Sequence, residues 1–301
     1  MPSDEMIFLT TRWPHTAVRV LNRLPDGTMS MPYRKFSLRP IGPIIGAEIV
    51  GVDLCTSLAS ETFVEIDRAL LEWKVLFFRN QAAGSGHQRA FALNWGQLED
   101  HSVVPHGQTR DAASMVKDDK IPSCQSIWHS DGSWRAEPPC AFMLRMINTP
   151  PSGGGDMLWA DCAAAYENLS PGMKDAIKDL NGLHDSAQMD GNSSEPTDPT
   201  VRRSKVPSTV HPVVRVHPRT GRKMLYVNAG TKSSWLGLEP AKTEWLLRTL
   251  FEQACVPEYQ VRWQWQAGDV AFWDNWATWH HMTSDYDLKD RLSECVAIIR
   301  R

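Results

Sequence analysis

From Ser126 onward the chain is cut into short apolar runs separated by turn-forming residues, and this punctuation limits the fold more than any other feature. "CAFMLRMIN", "MLWADC", "TVHPVVRVHP", "KMLYVN", "YQVRWQWQAGDVAFWD", "ATWHHMT" and "RLSECVAII" have the length and composition of single strands or strand pairs. "TPPSGGGD" between the first two is a turn-rich connection. Helical spacing interrupts the series in "AAAYENLSPGMKDAIKDLN" and again in "EPAKTEWLLRTLFEQAC". Strands resume after the second of these. The pattern therefore predicts a mainly β barrel or sandwich with added helices, not a helical bundle or a doubly wound sheet.

Upstream, strands and helices alternate. "IGAEIVGVDL" reads as strand–turn–strand and "SETFVEIDRALLEWK" as a helix with Ser60 as its N-cap candidate. "VLFFRNQ" follows as a short buried strand, and "SGHQRAFALNWGQL" as a second helix ending near Gly96. Residues 1–35 have weak periodicity and read as an N-terminal extension, leaving 36–301 as one domain. The stretch from 186 to 208 is polar, contains proline and has almost no aliphatic residues, so it is expected to be a mobile lid.

Composition excludes several functions. A net charge of -3 offers no basic face for nucleic acid. No apolar run approaches the roughly 18 residues of a membrane span, and the first residues lack the pattern of a secretion signal. The six cysteines are scattered without a CxxC pair, so free thiols in a cytoplasmic protein are expected over a disulfide framework. Thirteen tryptophans are too many for one pocket, so core packing accounts for most of them. The expected partner is a small molecule, with neither nucleic acid nor membrane involved; a homo-oligomer is compatible with all of this.

The chemistry-bearing residues begin in "SIWHSDGSW". His129 and Asp131 are two positions apart, which on an extended segment puts an imidazole and a carboxylate on one face. Alone, this pair is also explained by Asp131 capping a turn at Gly132 with His129 packed beside Trp128. A second segment, "GDVAFWDNWATWHHMTSDYDLKDR", places a turn at Asp274–Asn275 and then a strand with His280 and His281, of which alternation allows one to face inward. Two histidines and one carboxylate leave open coordination positions, the pattern of non-haem iron(II) oxygenases, although zinc accepts the same donors. Arg291 follows the next turn, where a guanidinium can grip a carboxylate with two hydrogen bonds.

Taken together these segments resemble the taurine dioxygenase family of Fe(II)- and 2-oxoglutarate-dependent oxygenases, which includes enzymes degrading aryloxyalkanoates and alkyl sulfate esters. The resemblance runs from about Leu38 to the C-terminus through "IGAEIVGVDL", "ALLEWKVLFFRNQ", "WHSDGSW", "PPSGGGDMLWADCAAAYENLS", "LYVN" and "GDVAFWDNWATWHH". It implies a double-stranded β-helix (jelly-roll) core. It implies Fe(II) on His129, Asp131 and His280, with His280 preferred to His281 because the family's histidine lies five residues beyond the "WDN" asparagine. It also implies 2-oxoglutarate on Arg291, O2 as second co-substrate, and oxidation of a substrate C–H bond with release of succinate and CO2. The carboxylate at Asp131 favours oxygenation over the halogenation found where a small residue replaces it.

The departures from the family bear on substrate. Met157 stands where a threonine commonly donates a hydrogen bond to 2-oxoglutarate, and a thioether has no proton to donate. Cys295 stands where taurine dioxygenases carry the arginine that holds the sulfonate, and Val104 where they pair a tyrosine with the histidine matched here by His101. Taurine is therefore not the expected substrate. His101, Gln125 and Cys295 are the candidate substrate-binding residues, for a moderately apolar small molecule with one polar group. Arg135, Lys205 and Lys232 are further candidates for an anionic group, and Trp134 and Trp235 for an apolar wall. Two other classes fit the donor set: a zinc-dependent hydrolase, which has no need of Arg291 at this spacing, and a catalytically inactive binding module, against which the retention of all three ligands argues.

Overall fold

The computed structural model describes residues 23–24, 31–99, 113–114, 127–185, 208–228, 238–287 and 290–299. His101, Gln125, Lys205, Lys232, Trp235 and all but the last residue of the expected lid lie outside them. In chain order the strands are β1 (Ser37–Pro40), β2 (Ala47–Val50), β3 (Val75–Phe78), β4 (Gln97–Leu98), β5 (Ala113–Ser114), β6 (Ala141–Asn148), β7 (Met157–Asp161), β8 (Asn181–Asp185), β9 (Ser208–Pro212), β10 (Val214–Val216), β11 (Lys223–Leu225), β12 (Gln260–Trp263), β13 (Val270–Asp274), β14 (Thr278–Met282) and β15 (Leu292–Ile299). The helices are α1 (Ser60–Trp73), α2 (Ser85–Ala92), α3 (Cys162–Glu167), α4 (Pro171–Ile177) and α5 (Pro240–Ala254).

Two sheets face each other. The larger runs β1-β2-β3-β13-β6-β15-β4, with β5 also on β15; the smaller runs β12-β7-β14. All pairings are antiparallel except β2 with β3. The central strands β3 and β13 of the larger sheet are buried on both faces. On β3, Val75 and Phe77 enter the space between the sheets, whereas Leu76 and Phe78 join the layer beneath α1 and α2. That second layer holds Met143, Phe272, Val296 and Ile298 from the sheet against Ile66, Leu70, Trp73 and Phe91 from the helices. This explains why these strands read as continuous apolar runs instead of alternating ones.

Between the sheets the core is aromatic. Trp159 is fully buried and meets Phe77 edge-on at 5.4 Å and Trp273 at 5.7 Å, while Phe77 stacks on Trp263 at 4.1 Å. Trp159 pairs with His280 across β7 and β14, and the Trp273 ring lies 5.4 Å from the His280 ring. Three tryptophans are thus part of this core, two of them beside His280, and packing is their role, as expected for most of the thirteen. Truncating a side chain of this kind to alanine costs about 3–5 kcal/mol, so His280 is carried on a stiff wall.

The elements differ from expectation in four places. The second helix stops at Ala92 instead of near Gly96, and Gln97–Leu98 pair with β15 as β4. The turn expected inside "IGAEIVGVDL" lies earlier: Gly46, at φ 81°, turns β1 into β2, and "GVDL" beyond Val50 is not a strand. The first long helix has Ala59 as N-cap with no side-chain bond, so Ser60 is already helical. The insert after β7 is two helices, because Ser170 accepts from Met173 N–H and Pro171 starts α4 afresh.

Candidate metal and co-substrate site

The two histidines are brought together by backbone. His129 N–H donates to His280 C=O at 3.0 Å and His280 N–H returns the bond at 2.8 Å, an isolated antiparallel bridge of one residue from each segment. A pair that exchanges both bonds presents its side chains on the same side of the ladder, and the rings lie 4.2 Å apart. Asp131 does not continue the extended segment. Gly132 at φ 70° turns the chain immediately, and a Cβ there would meet Pro139 Cδ at 2.6 Å. The carboxylate folds back between the rings, 3.5 Å from His129 Nε2 and 3.4 Å from His280 Nε2. One donor atom from each of the three residues lies within 4.8 Å of the others.

The residues fit a dication. His129 Nδ1 is 2.7 Å from Ile127 C=O, which can only accept, so Nδ1 carries the proton and Nε2 turns its lone pair into the site. Both rings are buried, while the Asp131 side chain is 28% exposed, so access is from the carboxylate side. Burial would raise the Asp131 carboxyl, but the two histidines outweigh it and hold the group well below the usual carboxylate range. Burial and the neighbouring His129 push His280 down, whereas for His129 the bond and charge of Asp131 overcome burial and push it up. A half-buried carboxylate with two buried ring nitrogens facing it calls for a positive charge at their centre. His281 points away: it is half-buried, with its ring 5.5 Å from Trp128.

Arg291 lies just before β15 and is 8% exposed. Its Nη1 donates to Ser293 Oγ at 3.3 Å, but Nε and Nη2 have no partner among the described residues. Gly155, at φ 70°, leaves room for it, since a Cβ there would sit 3.1 Å from Arg291 Cδ and from the Tyr286 ring. Burial lowers the arginine from its ordinary pKa, and the adjoining Tyr286 counters this. A buried guanidinium with two idle donors is suited to a carboxylate it has yet to meet. Met157, at 3% exposure, lies between Trp263 and Met282 on the strand face shared with His280.

Cys295 shares its β15 face with Ser293 and packs at the edge of the core between the sheets. Burial raises its thiol, with Asp131 adding to the rise and Arg291 opposing it, so the sulfur is neutral and lies within electrostatic reach of both. Arg135 is ion-paired with Glu99 and not presented to the site. Trp134 is half-buried.

Residues 37–295 match the model of the family described as taurine catabolism dioxygenase TauD, TfdA. The chain belongs to this family. It is 36% identical over 269 residues to an alkylsulfatase of Acinetobacter baylyi, covering 87% of this chain and 84% of that one. It is 35% identical over 274 residues to an alpha-ketoglutarate-dependent sulfate ester dioxygenase of Pseudomonas putida, covering 88% and 89%. Among solved structures, a taurine dioxygenase from Burkholderia xenovorans superposes with a TM-score of 0.75 at 35% identity, over 89% of this chain and 90% of that chain. AAD-2, solved with Mn(II) and N-oxalylglycine, gives 0.76 at 26% identity over 88% and 97%. The expected fold and enzyme class stand: the protein is a TauD, TfdA-family dioxygenase dependent on Fe(II), 2-oxoglutarate and O2, built on a double-stranded β-helix.

Tyr286, Ser293, Asn228 and Asn275 are the residues near the site that sequence reasoning missed. Asn275 was legible only as half of a turn. The neighbours it serves are 144 and 136 residues away.

Proposed function

We propose that His129, Asp131 and His280 hold Fe(II), and that Arg291 receives the distal carboxylate of 2-oxoglutarate, for oxidation of a C–H bond on a small organic substrate. The observation that carries this is the convergence of the three donor atoms in a fold whose nearby buried arginine has two nitrogens, Nε and Nη2, without a partner among the described residues. When bound, Fe(II) with 2-oxoglutarate and O2 supplies the oxidant, and succinate and CO2 are released. The protein's own contribution is placement. The His129–His280 bridge sets the spacing of two donors, Asp131 supplies the charge, and Arg291 orients the co-substrate through Nε and Nη2. Tyr286 and the absent Cβ of Gly155 keep the guanidinium in its slot.

The substrate proposal is narrower than the family. Cys295 puts a neutral thiol where a taurine dioxygenase has an arginine, so a sulfonate finds no charge there and taurine is set aside. The sulfate ester dioxygenase of Pseudomonas putida and the alkylsulfatase of Acinetobacter baylyi make alkyl sulfate esters the first compounds to try, their charged head group being held by a group other than residue 295. Hydroxylation is the expected outcome, with fragmentation where the oxidised carbon bears a heteroatom. Residues 36–301 are proposed as the catalytic domain with 1–35 as an extension. Cytoplasmic location is supported by free Cys55, Cys140, Cys162, Cys255 and Cys295, and no helix among the described residues is long and apolar enough to cross a membrane. The test is Fe(II)-dependent formation of succinate from 2-oxoglutarate, screened over sulfate esters, carboxylic acids and aromatic metabolites. Succinate formation that persists in Asp131→Ala would overturn the site.

A further inference from the structure

We infer that Asn275 is the positioning residue for Asp131, acting on the carboxylate through the backbone of the residue that carries it; this rests on the reading of His129, Asp131 and His280 as the metal ligands. Asn275 is fully buried in the turn between β13 and β14. Its side chain is spent on one loop. Oδ1 accepts Asp131 N–H at 3.1 Å, while Nδ2 donates to Asp131 C=O at 2.9 Å and to Pro139 C=O at 3.0 Å. The orientation of the amide is decided by these partners, because an N–H can only donate and the two carbonyls can only accept. Both amide protons are used.

The first two bonds clasp both peptide groups of Asp131 as an opposing strand would, although no strand of the described residues lies there. The third bond reaches Pro139, against which Gly132 packs, so one side chain ties together both limbs of the loop. Asn275 itself is anchored by its N–H on Cys140 C=O at 3.0 Å. The adjoining Asp274 fixes the turn, with Oδ1 accepting from Trp276 and Ala277 N–H and Oδ2 bonded to buried His217. The same turn leads directly into β14 and His280. Asn275 therefore registers the carboxylate of one segment against the histidine of the other.

Asn228 braces the loop from its far side, donating to Ser130 C=O at 2.8 Å and Ser133 Oγ at 2.7 Å. Ser130 Oγ donates to Thr278 C=O at 2.8 Å. These contacts hold Ser130, whereas only Asn275 among the described residues bonds both peptide groups of Asp131. A ligand oxygen must sit within a few tenths of an ångström of its place to coordinate, which free rotation about an unclasped Asp131 would not preserve.

The experiment measures Mn(II) affinity by electron paramagnetic resonance and Co(II) electronic absorption on the full chain without turnover. The proteins are the native chain, Asn275→Ala, Asn275→Asp, Asp131→Ala and Leu250→Ala. Asn275→Asp keeps the shape and the acceptor for Asp131 N–H but removes both donors, so it remains informative if the alanine variant does not fold. Both Asn275 variants are expected to bind Mn(II) about 10- to 100-fold more weakly and to shift the Co(II) bands. Leu250→Ala, a buried residue of α5 that makes none of the bonds to the Asp131 loop, is expected to lower Tm while leaving both readouts native. Native Mn(II) affinity and Co(II) bands in the Asn275 variants, with loss of affinity in Asp131→Ala, would overturn the positioning role and leave the metal site standing. Native affinity in Asp131→Ala would overturn the metal site itself.

Discussion

The metal end and the arginine end of this site are finished to different degrees. At the metal end the Asp131 loop is satisfied by protein: its peptide groups by Asn275, its neighbours by Asn228 and Thr278, and His129 Nδ1 by Ile127, so that among the ligands only His280 Nδ1 is left without a partner among the described residues. At the other end Arg291 is buried, yet two of its nitrogens have no partner among the described residues. A buried unpaired donor costs about 1–3 kcal/mol, and the fold keeps two on one side chain. The contrast separates a part made ready in advance from a part completed by the molecule it receives. One end is rigid because a cation tolerates little error; the other holds unspent hydrogen bonds that become co-substrate affinity.

The largest test of this contrast removes a metal ligand. Asp131→Ala is expected to abolish Fe(II)-dependent succinate formation, a greater loss than the about 10- to 100-fold typical for a residue that only supports a ligand. Mn(II) titration and succinate assay check it, and chelation of the native protein should reproduce the loss reversibly. Arg291→Ala should act differently. Metal affinity stays native, while 2-oxoglutarate affinity falls by about 3 kcal/mol, roughly a hundredfold in Kd, for two lost charged hydrogen bonds. Equal loss of metal and 2-oxoglutarate binding in both variants would erase the distinction between the ends.

How far each end was legible follows from the range of its contacts. The core strands could be read because apolar runs are local; alternation within β14 is local too, but it showed only that one of His280 and His281 faces inward, and the family's spacing was needed to choose His280. The return of Asp131 toward both rings needed Gly132 at positive φ and the bridge between residues 129 and 280, neither of which spacing reveals. Asn275 could be seen as a turn residue but not as a clasp, since its partners follow from sheet closure. The idle donors of Arg291 are likewise a property of burial and not of sequence. Val104, His101 and Gln125 lie outside the described residues, so the substrate side rests on Cys295.

Met157→Thr sharpens the arginine end by a smaller amount. Met157 is on the His280 face of β7, two positions before Trp159, in a nearly closed environment between Trp263 and Met282. A threonine hydroxyl adds one donor where the family commonly has it, worth about 1 kcal/mol, or roughly fivefold tighter 2-oxoglutarate binding. The smaller side chain also leaves space in the core, so Tm should fall by the few degrees that about 1–2 kcal/mol produces in a domain of this size. Isothermal titration with 2-oxoglutarate and thermal melts should therefore move in opposite senses. Unchanged affinity with the same loss of Tm would show that the thioether had displaced no useful bond.

The smallest effect is expected at Cys295, and it tests whether the substrate side resembles either end. Its thiol is neutral and lies on the β15 face of Ser293, within reach of the charges on Asp131 and Arg291. Replacement by serine exchanges a weak donor for a stronger one at nearly constant volume and leaves the three ligands and Arg291 untouched. If the thiol only borders the substrate, Cys295→Ser should change the substrate KM by no more than about threefold, less than 1 kcal/mol, with Mn(II) and 2-oxoglutarate affinities native. Cys295→Arg gives the opposite reading, because it adds the charge whose absence set taurine aside. A gain of sulfonate-stimulated succinate formation in that variant would mark residue 295 as the position that chooses the substrate's head group. A serine variant that instead weakened Mn(II) binding would place Cys295 with the metal end, and the boundary between the two ends would have to be moved across β15.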